Sequence, residues 1–237
     1  MSLMTRQLTL NVQLPDTFSF ENFVFNQNRL LVREQLLGDG LVWVTGAQSS
    51  GKTHLLSAAT CALEQGTLYL PARELVETCD PSILDGLEAS PCLLFDDIHL
   101  LTPNPSWSDA LFHLFNRQQS NGGRWICSSR VAPRYIETPL EDLRSRLTLF
   151  PAFELSQYTD QERVAIFAER ARFRGIKVSD DVYPYILNHL PRDLSYWLRL
   201  LEQLDHASLA EQRKITIPLV KAVLQDNASL HRQLSLS

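Results

Sequence analysis

Eight consecutive residues, Gly46-Ala47-Gln48-Ser49-Ser50-Gly51-Lys52-Thr53, match the pattern Gly-x4-Gly-Lys-Ser/Thr in full. At average composition such a string arises by chance in roughly one chain of this length in a hundred. Its surroundings make chance rarer still. The apolar run Leu41-Val42-Trp43-Val44-Thr45 precedes it, and a helical pattern over Thr53–Gln65 follows, stopped by Gly66. A strand, a glycine-bearing loop and a helix, in that order, form a cradle whose backbone N–H groups and positive helix end hold phosphate oxygens. In such a cradle Lys52 reaches the β- and γ-phosphates and Thr53 offers its hydroxyl to Mg²⁺. Ser49 stands where many loops of this type place another glycine, so a positive φ at that position would carry a strain cost.

Further polar groups fall at the ends of apolar runs. Asp96 and Asp97 close the run Leu93-Leu94-Phe95. A carboxylate at the carboxyl end of such a strand is placed to hold Mg²⁺ opposite the phosphate loop. Asp96 is assigned to the metal and Asp97 to orienting the attacking water of any hydrolysis. Ser128 and Ser129 end the next run, where a hydroxyl either contacts phosphate or water, or caps the loop. Arg146 reads as a surface cation. Arg192 is less ordinary, because helix N-termini disfavour cations and one lies close behind it; a phosphate brought into the site would resolve that misfit.

These groups need a scaffold that gathers strand ends. Short apolar runs at Leu41–Thr45, Thr67–Leu70, Cys92–Asp96 and Arg124–Ser129 alternate with helical patterns at Phe20–Gly40, Arg73–Thr78, Pro81–Gly86, Ser108–Gln119 and Leu140–Arg146. The last is followed by an extended segment, Leu147–Leu155. The alternation predicts an α/β domain with a mostly parallel sheet, and the unbroken apolarity of Cys92–Asp96 suits a central strand covered on both faces. Beyond residue 156 only helical patterns remain. Thr159 and Glu162 match a capping box before a helix closed by Gly175, and further helices are expected over Val182–Leu190, from Asp193, and after Thr216. The expected division is a tail over 1–19, a nucleotide-binding α/β domain over 20–156 and a small helical domain over 157–237.

Composition sets outer limits. The chain has 237 residues, 44% of them apolar, and a formal net charge of -5. It therefore lacks the basic field on which non-specific duplex binding depends, and sequence-specific DNA binding is not expected. The cysteines Cys61, Cys79, Cys92 and Cys127 and the scattered histidines show no metal-ligand spacing. With no apolar run of membrane length, the reading is a cytoplasmic protein without a membrane partner.

Taken together, the phosphate loop, the Asp-Asp pair, the second polar strand end, the arginine near the domain boundary and the helical segment that follows resemble an AAA+ ATPase. The likeness is to the bacterial DnaA-related family, and within it to the short regulatory Hda type, and it runs from Phe20 to about Leu224. It implies an AAA+ domain with a central parallel sheet, followed by a helical lid. It also implies an adenine nucleotide, ADP or ATP, with Mg²⁺. Phe20-Glu21-Asn22-Phe23-Val24 resembles the segment bordering the adenine, Ser128 or Ser129 the sensor 1 region, and Arg192 the sensor 2 arginine of the lid. Arg146, in Leu143-Arg144-Ser145-Arg146, resembles the arginine finger that acts on a neighbour's nucleotide. The chain is too short for the interaction and helix-turn-helix domains that flank this core in DnaA, and Asp142 stands where the initiator usually has an arginine.

Gln7-Leu8-Thr9-Leu10 resembles the peptide with which such proteins dock on the DNA polymerase sliding clamp, an extended tail placing an amide and two leucines in a pocket. An edge strand is the other reading of that stretch. Gln233-Leu234-Ser235-Leu236 repeats the pattern at the far end. The resemblance thus implies a clamp-associated regulator that stimulates hydrolysis of ATP bound to DnaA, has weak or no ATPase activity of its own, and has the capacity for self-association. An autonomous replication-associated ATPase or loader, or a non-catalytic replisome adaptor, are the alternatives.

Overall fold

The apolar runs assemble into one sheet. Its strands are β1 (Val42–Thr45), β2 (Leu68–Pro71), β3 (Cys92–Asp96), β4 (Arg124–Ser129) and β5 (Ala152–Glu154). The computed structural model describes residues 18–63, 65–211 and 214–234. The strand order is β2-β3-β4-β1-β5, and every neighbouring pair is parallel. β3 and β4 keep the bounds read from sequence. The extended segment expected over Leu147–Leu155 is shorter, with only Ala152–Glu154 forming a strand. The N–H groups of Thr148, Leu149 and Phe150 bond back to the carbonyls of Arg144, Arg146 and Leu147, so they are used locally and do not join the sheet.

Helices cover both faces. They are α1 (Gln27–Leu37), α2 (Lys52–Ala62), α3 (Ala72–Thr78), α4 (Pro105–Ser120) and α5 (Glu141–Leu147). Alternation along each strand sends successive side chains to opposite faces. Val42, Val44, Leu94 and Ile126 pack with Val32 and Leu36 of α1 and Leu55, Leu56 and Ala59 of α2. Trp43, Leu93, Phe95, Trp125 and Cys127 pack with Leu111, Leu114 and Phe115 of α4 and Leu143 and Leu147 of α5. α4 begins at Pro105, earlier than its apolar stripe suggests. The Asn104 side chain accepts from the N–H groups of Ser106 and Trp107, and Pro105 occupies the first turn, where its missing N–H costs nothing.

The chain divides between Gln157 and Tyr158 into two units. The second contains α6 (Asp160–Phe173), α7 (Val182–His189), α8 (Leu194–Glu211) and α9 (Ile217–Leu234). The capping box forms as expected: Glu162 N–H donates to Thr159 Oγ1 at 3.2 Å, and Thr159 N–H to Glu162 Oε2 at 2.7 Å. Phe167, Ala171, Val182, Ile186, Trp197, Leu201, Leu204 and Val220 make its core. Among the described residues of this unit the only β pairing is a single parallel bridge, Val178 with Ile215.

Candidate functional site: a phosphate cradle with a buried aspartate

β1 ends directly in the loop Gly46–Gly51, and α2 starts at Lys52. Two of the loop's residues are left-handed: Ser49 with φ 63° and Gly51 with φ 97°. Ser49 thus takes the conformation that the sequence reading marked as costly for a residue with a Cβ. Gly46 is required for a different reason. A Cβ there would lie 2.7 Å from Ser50 Oγ and 3.0 Å from the Leu155 carbonyl oxygen. Gln48 is exposed at the loop's tip, and Ser50 is buried.

Lys52 is 6% exposed, and its Nζ donates to the carbonyls of Gly46 at 2.8 Å and Ala47 at 3.0 Å. Burial pushes its pKa down, against the pull of Asp97 and Asp96. The first N–H groups of α2 have no partner within the helix and face the loop. A cation, those amides and a tight loop that glycine permits together suit a polyphosphate chain.

Strand parity explains what sits opposite. Asp96 follows Leu94 by two residues, and Ser128 follows Ile126 by two, so both side chains emerge on the α2 face. Asp96 is 6% exposed and accepts from Ser128 Oγ at 2.5 Å and from Tyr69 Oη at 2.9 Å, with the Thr53 hydroxyl near enough to pull its pKa down. Burial raises its pKa, and the Ser128 hydrogen bond pulls it back most strongly. The pairing of Thr53 with Asp96 joins the phosphate loop to β3. Two oxygen donors of this kind fit Mg²⁺, which is commonly held by one or two protein groups and otherwise by phosphates and waters. Among the described residues no group of three or more His, Cys, Asp or Glu converges as a self-sufficient metal site.

Asp97 leaves the strand in the left-handed region at φ 56° and caps the short turn Ile98–Leu100. Its N–H donates to Ser128 Oγ at 2.8 Å. Its buried Oδ1 has no hydrogen-bond donor and lies 3.9 Å from His99 Nδ1. Ser128 is fully buried, and its hydroxyl is committed to both aspartates, so it reaches the site through them. Ser129 Oγ accepts from Val131 N–H, the capping role.

The other expected residues have surroundings of their own. Phe23 is buried with its ring edge-on to His54, 4.8 Å between centroids, and His54 directly follows Thr53. Arg146 is exposed in the last turn of α5, where a cation suits the helix dipole, and no ion pair engages it among the described residues. Arg192, 64% exposed, pairs through Nε with Asp160 at 3.2 Å. Asp160 is thus the partner of this cation in the folded helical unit; an exposed pair of this kind is worth about 0–1 kcal/mol. Gln7, Leu8 and Leu10 lie outside the described residues, as do Ser235 and Leu236 of the second copy.

Other residues were not singled out by sequence. Tyr69 carries no motif. Arg29 is fully buried, its Nη2 donating to the carbonyls of Ser156 at 2.8 Å and Ser50 at 3.4 Å, and so ties the loop to the exit of β5. Arg130, just beyond β4, is close enough for its charge to depress the pKa of both Lys52 and His99. Its place after a polar strand end was the one available signal.

Comparison with known proteins agrees with this geometry. A family model described as the bacterial DnaA ATPase domain matches residues 14–150, and one described as the Hda lid domain matches residues 160–224. An uncharacterised protein of Haemophilus influenzae is 32% identical over 231 residues, 93% of this chain and 99% of that one. Domain III of the Thermotoga maritima replication initiation protein DnaA superposes with a TM-score of 0.76 at 18% identity, covering 90% of this chain and 97% of that one. AMPPCP-bound DnaA from Aquifex aeolicus gives 0.62 at 21% identity, over 84% and 69%. The ATPase-domain match alone spans more than half of the sequence, and with the lid match behind it the chain belongs to the DnaA-related AAA+ family and is Hda-like.

Proposed function

We propose that this protein is a nucleotide-controlled regulator of replication initiation that stimulates hydrolysis of ATP bound to DnaA. Gln7, Leu8 and Leu10 dock it on the DNA polymerase sliding clamp, and Arg146 enters the initiator's nucleotide site. The observation that carries the reading is Arg146 itself: an exposed arginine at a helix C-terminus, with no ion pair among the described residues, three residues before Leu149, which is 61% exposed. An arginine supplied across an interface stabilises charge developing on a transferring phosphoryl group.

The chain's own ADP or ATP sits in Gly46–Thr53, with Phe23 and His54 near the base, Thr53 and Asp96 toward Mg²⁺, and Arg192 as the lid's nucleotide sensor. The AMPPCP carried by a solved relative supports the choice of an adenine nucleotide. When bound, the metal would neutralise phosphate charge. The test is the rate of ATP hydrolysis by purified DnaA with and without this protein and DNA-loaded clamp. Stimulation that disappears in Arg146→Ala, with clamp binding retained, is the expected result; an unchanged rate with the intact protein sinks the reading.

A second reading has its own observation. Thr53 lies beside Asp96, and the neighbouring Asp97 has a buried carboxyl oxygen, Oδ1, without a hydrogen-bond partner, a grouping that an autonomous ATPase would use. Substantial turnover by the isolated protein, abolished in Asp97→Asn, would favour it over the partner-directed role.

A further inference from the structure

Asp96 is held from two strands at once. Ser128 on β4 donates to Oδ1 and Tyr69 on β2 donates to Oδ2, while the Thr53 hydroxyl of the phosphate loop lies close by. The tyrosine reaches it by register. Tyr69 is paired with Leu94 and Pro71 with Asp96, so Tyr69 starts two residues below the carboxylate on the same face. Two residues of strand rise about 6.6 Å, a gap that an aromatic side chain on the diagonal spans.

The hydroxyl has a specific destination. The Tyr69 ring packs at the edge of the α1/α2 cluster, a place that phenylalanine would fill equally well. Its hydroxyl is largely withdrawn from water and donates to Asp96 Oδ2 at 2.9 Å. A carboxylate has about four lone-pair directions. With Oδ1 and Oδ2 each fixed by a neutral donor from a flanking strand, the plane of the Asp96 carboxyl is set, and the side that meets Thr53 is turned toward the phosphate loop.

We propose that Tyr69 is a positioning residue for the metal site: it orients Asp96 so that Thr53 and Asp96 together receive the Mg²⁺ that accompanies nucleotide phosphates. The proposal rests on the reading of Gly46–Thr53 as a nucleotide site. Partners that orient a metal-binding group are typically worth about 10–100-fold in metal affinity.

The experiment is calorimetric titration of the full chain with ADP and with ATP, in EDTA and across a Mg²⁺ series, for the wild type and Tyr69→Phe. Tyr69→Phe should match the wild type in its nucleotide affinity in EDTA, with a melting temperature a few degrees lower from the lost hydrogen bond. The Mg²⁺ concentration that gives half of the metal-dependent gain in affinity should rise about tenfold. A buried tyrosine that merely satisfies its own hydroxyl predicts no change in the Mg²⁺ midpoint, and that result overturns the proposal. A wild type that binds neither nucleotide overturns the reading of the site, and the proposal with it. A wild type with Mg²⁺ coupling that Tyr69→Phe retains in full overturns the proposal alone. Ser128→Ala is the companion variant, expected to shift the same midpoint because it frees Oδ1.

Discussion

Replacing Ser49 with glycine isolates the strain in the phosphate loop. Ser49 sits at φ 63° and Gly51, two residues on, at φ 97°. For a residue with a Cβ the left-handed region costs about 1–2 kcal/mol. Glycine removes that cost but enlarges the conformational freedom of the unfolded chain, an opposing term of about 0.4–1 kcal/mol. The difference is a net stabilisation of about 0.5–1 kcal/mol. For a unit of this size 1 kcal/mol moves Tm by about 2–4 °C, so Ser49→Gly should melt about 1–4 °C higher. Gly51→Ala makes the opposite change at the neighbouring left-handed position and should melt lower. Thermal unfolding followed by circular dichroism, with calorimetry on the same samples, measures both. A fall in Tm for Ser49→Gly would refute the reasoning, since it would mean that the serine side chain contributes more in the folded loop than its backbone costs.

Other substitutions probe separate links. Lys52→Ala should weaken nucleotide binding about 10–100-fold, the loss of charge-assisted hydrogen bonds worth about 1.5–3 kcal/mol, and should also lower Tm by a few degrees because the bonds to the Gly46 and Ala47 carbonyls go too; equilibrium titration with ADP and thermal unfolding read them. Gly123→Ala should lower Tm by several degrees, because a Cβ there would lie 2.3 Å from Cγ of the fully buried Gln118 and overpacking costs about 1–3 kcal/mol. Gln7→Ala should reduce clamp affinity in a surface-binding assay while leaving nucleotide binding unchanged, which separates docking from the nucleotide site.

What the sequence determined by itself was local in origin. The Gly46–Thr53 pattern, the bounds of β3 and β4, and the Thr159–Glu162 capping box all follow from residues within a few positions of one another. Such features depend on backbone conformation, helix-end hydrogen bonding and the period of apolar residues, and these leave direct traces in the string of residues. The strain at Ser49 was legible for the same reason, because the conformation a loop position needs belongs to its motif.

Pairings between residues distant in sequence were set by the fold. Tyr69 and Asp96 meet because β2 and β3 adopt one register, and Arg29 reaches Ser50 and Ser156 because α1 packs beside the end of β5. Nothing near Tyr69 or Arg29 distinguishes them from an ordinary strand tyrosine and an ordinary helix arginine. The place of Ser128 was legible and its task was not, since a hydroxyl at a strand end serves whichever charged atoms the neighbouring strand presents, here the side chain of Asp96 and the N–H of Asp97. Arg192 is the reverse case: sequence marked a cation just ahead of a helix N-terminus, and folding brings Asp160 of α6 to it. Motif chemistry is written along the chain, whereas orientation of the groups that perform it is set across the sheet and between helices, where register and packing decide which side chains meet.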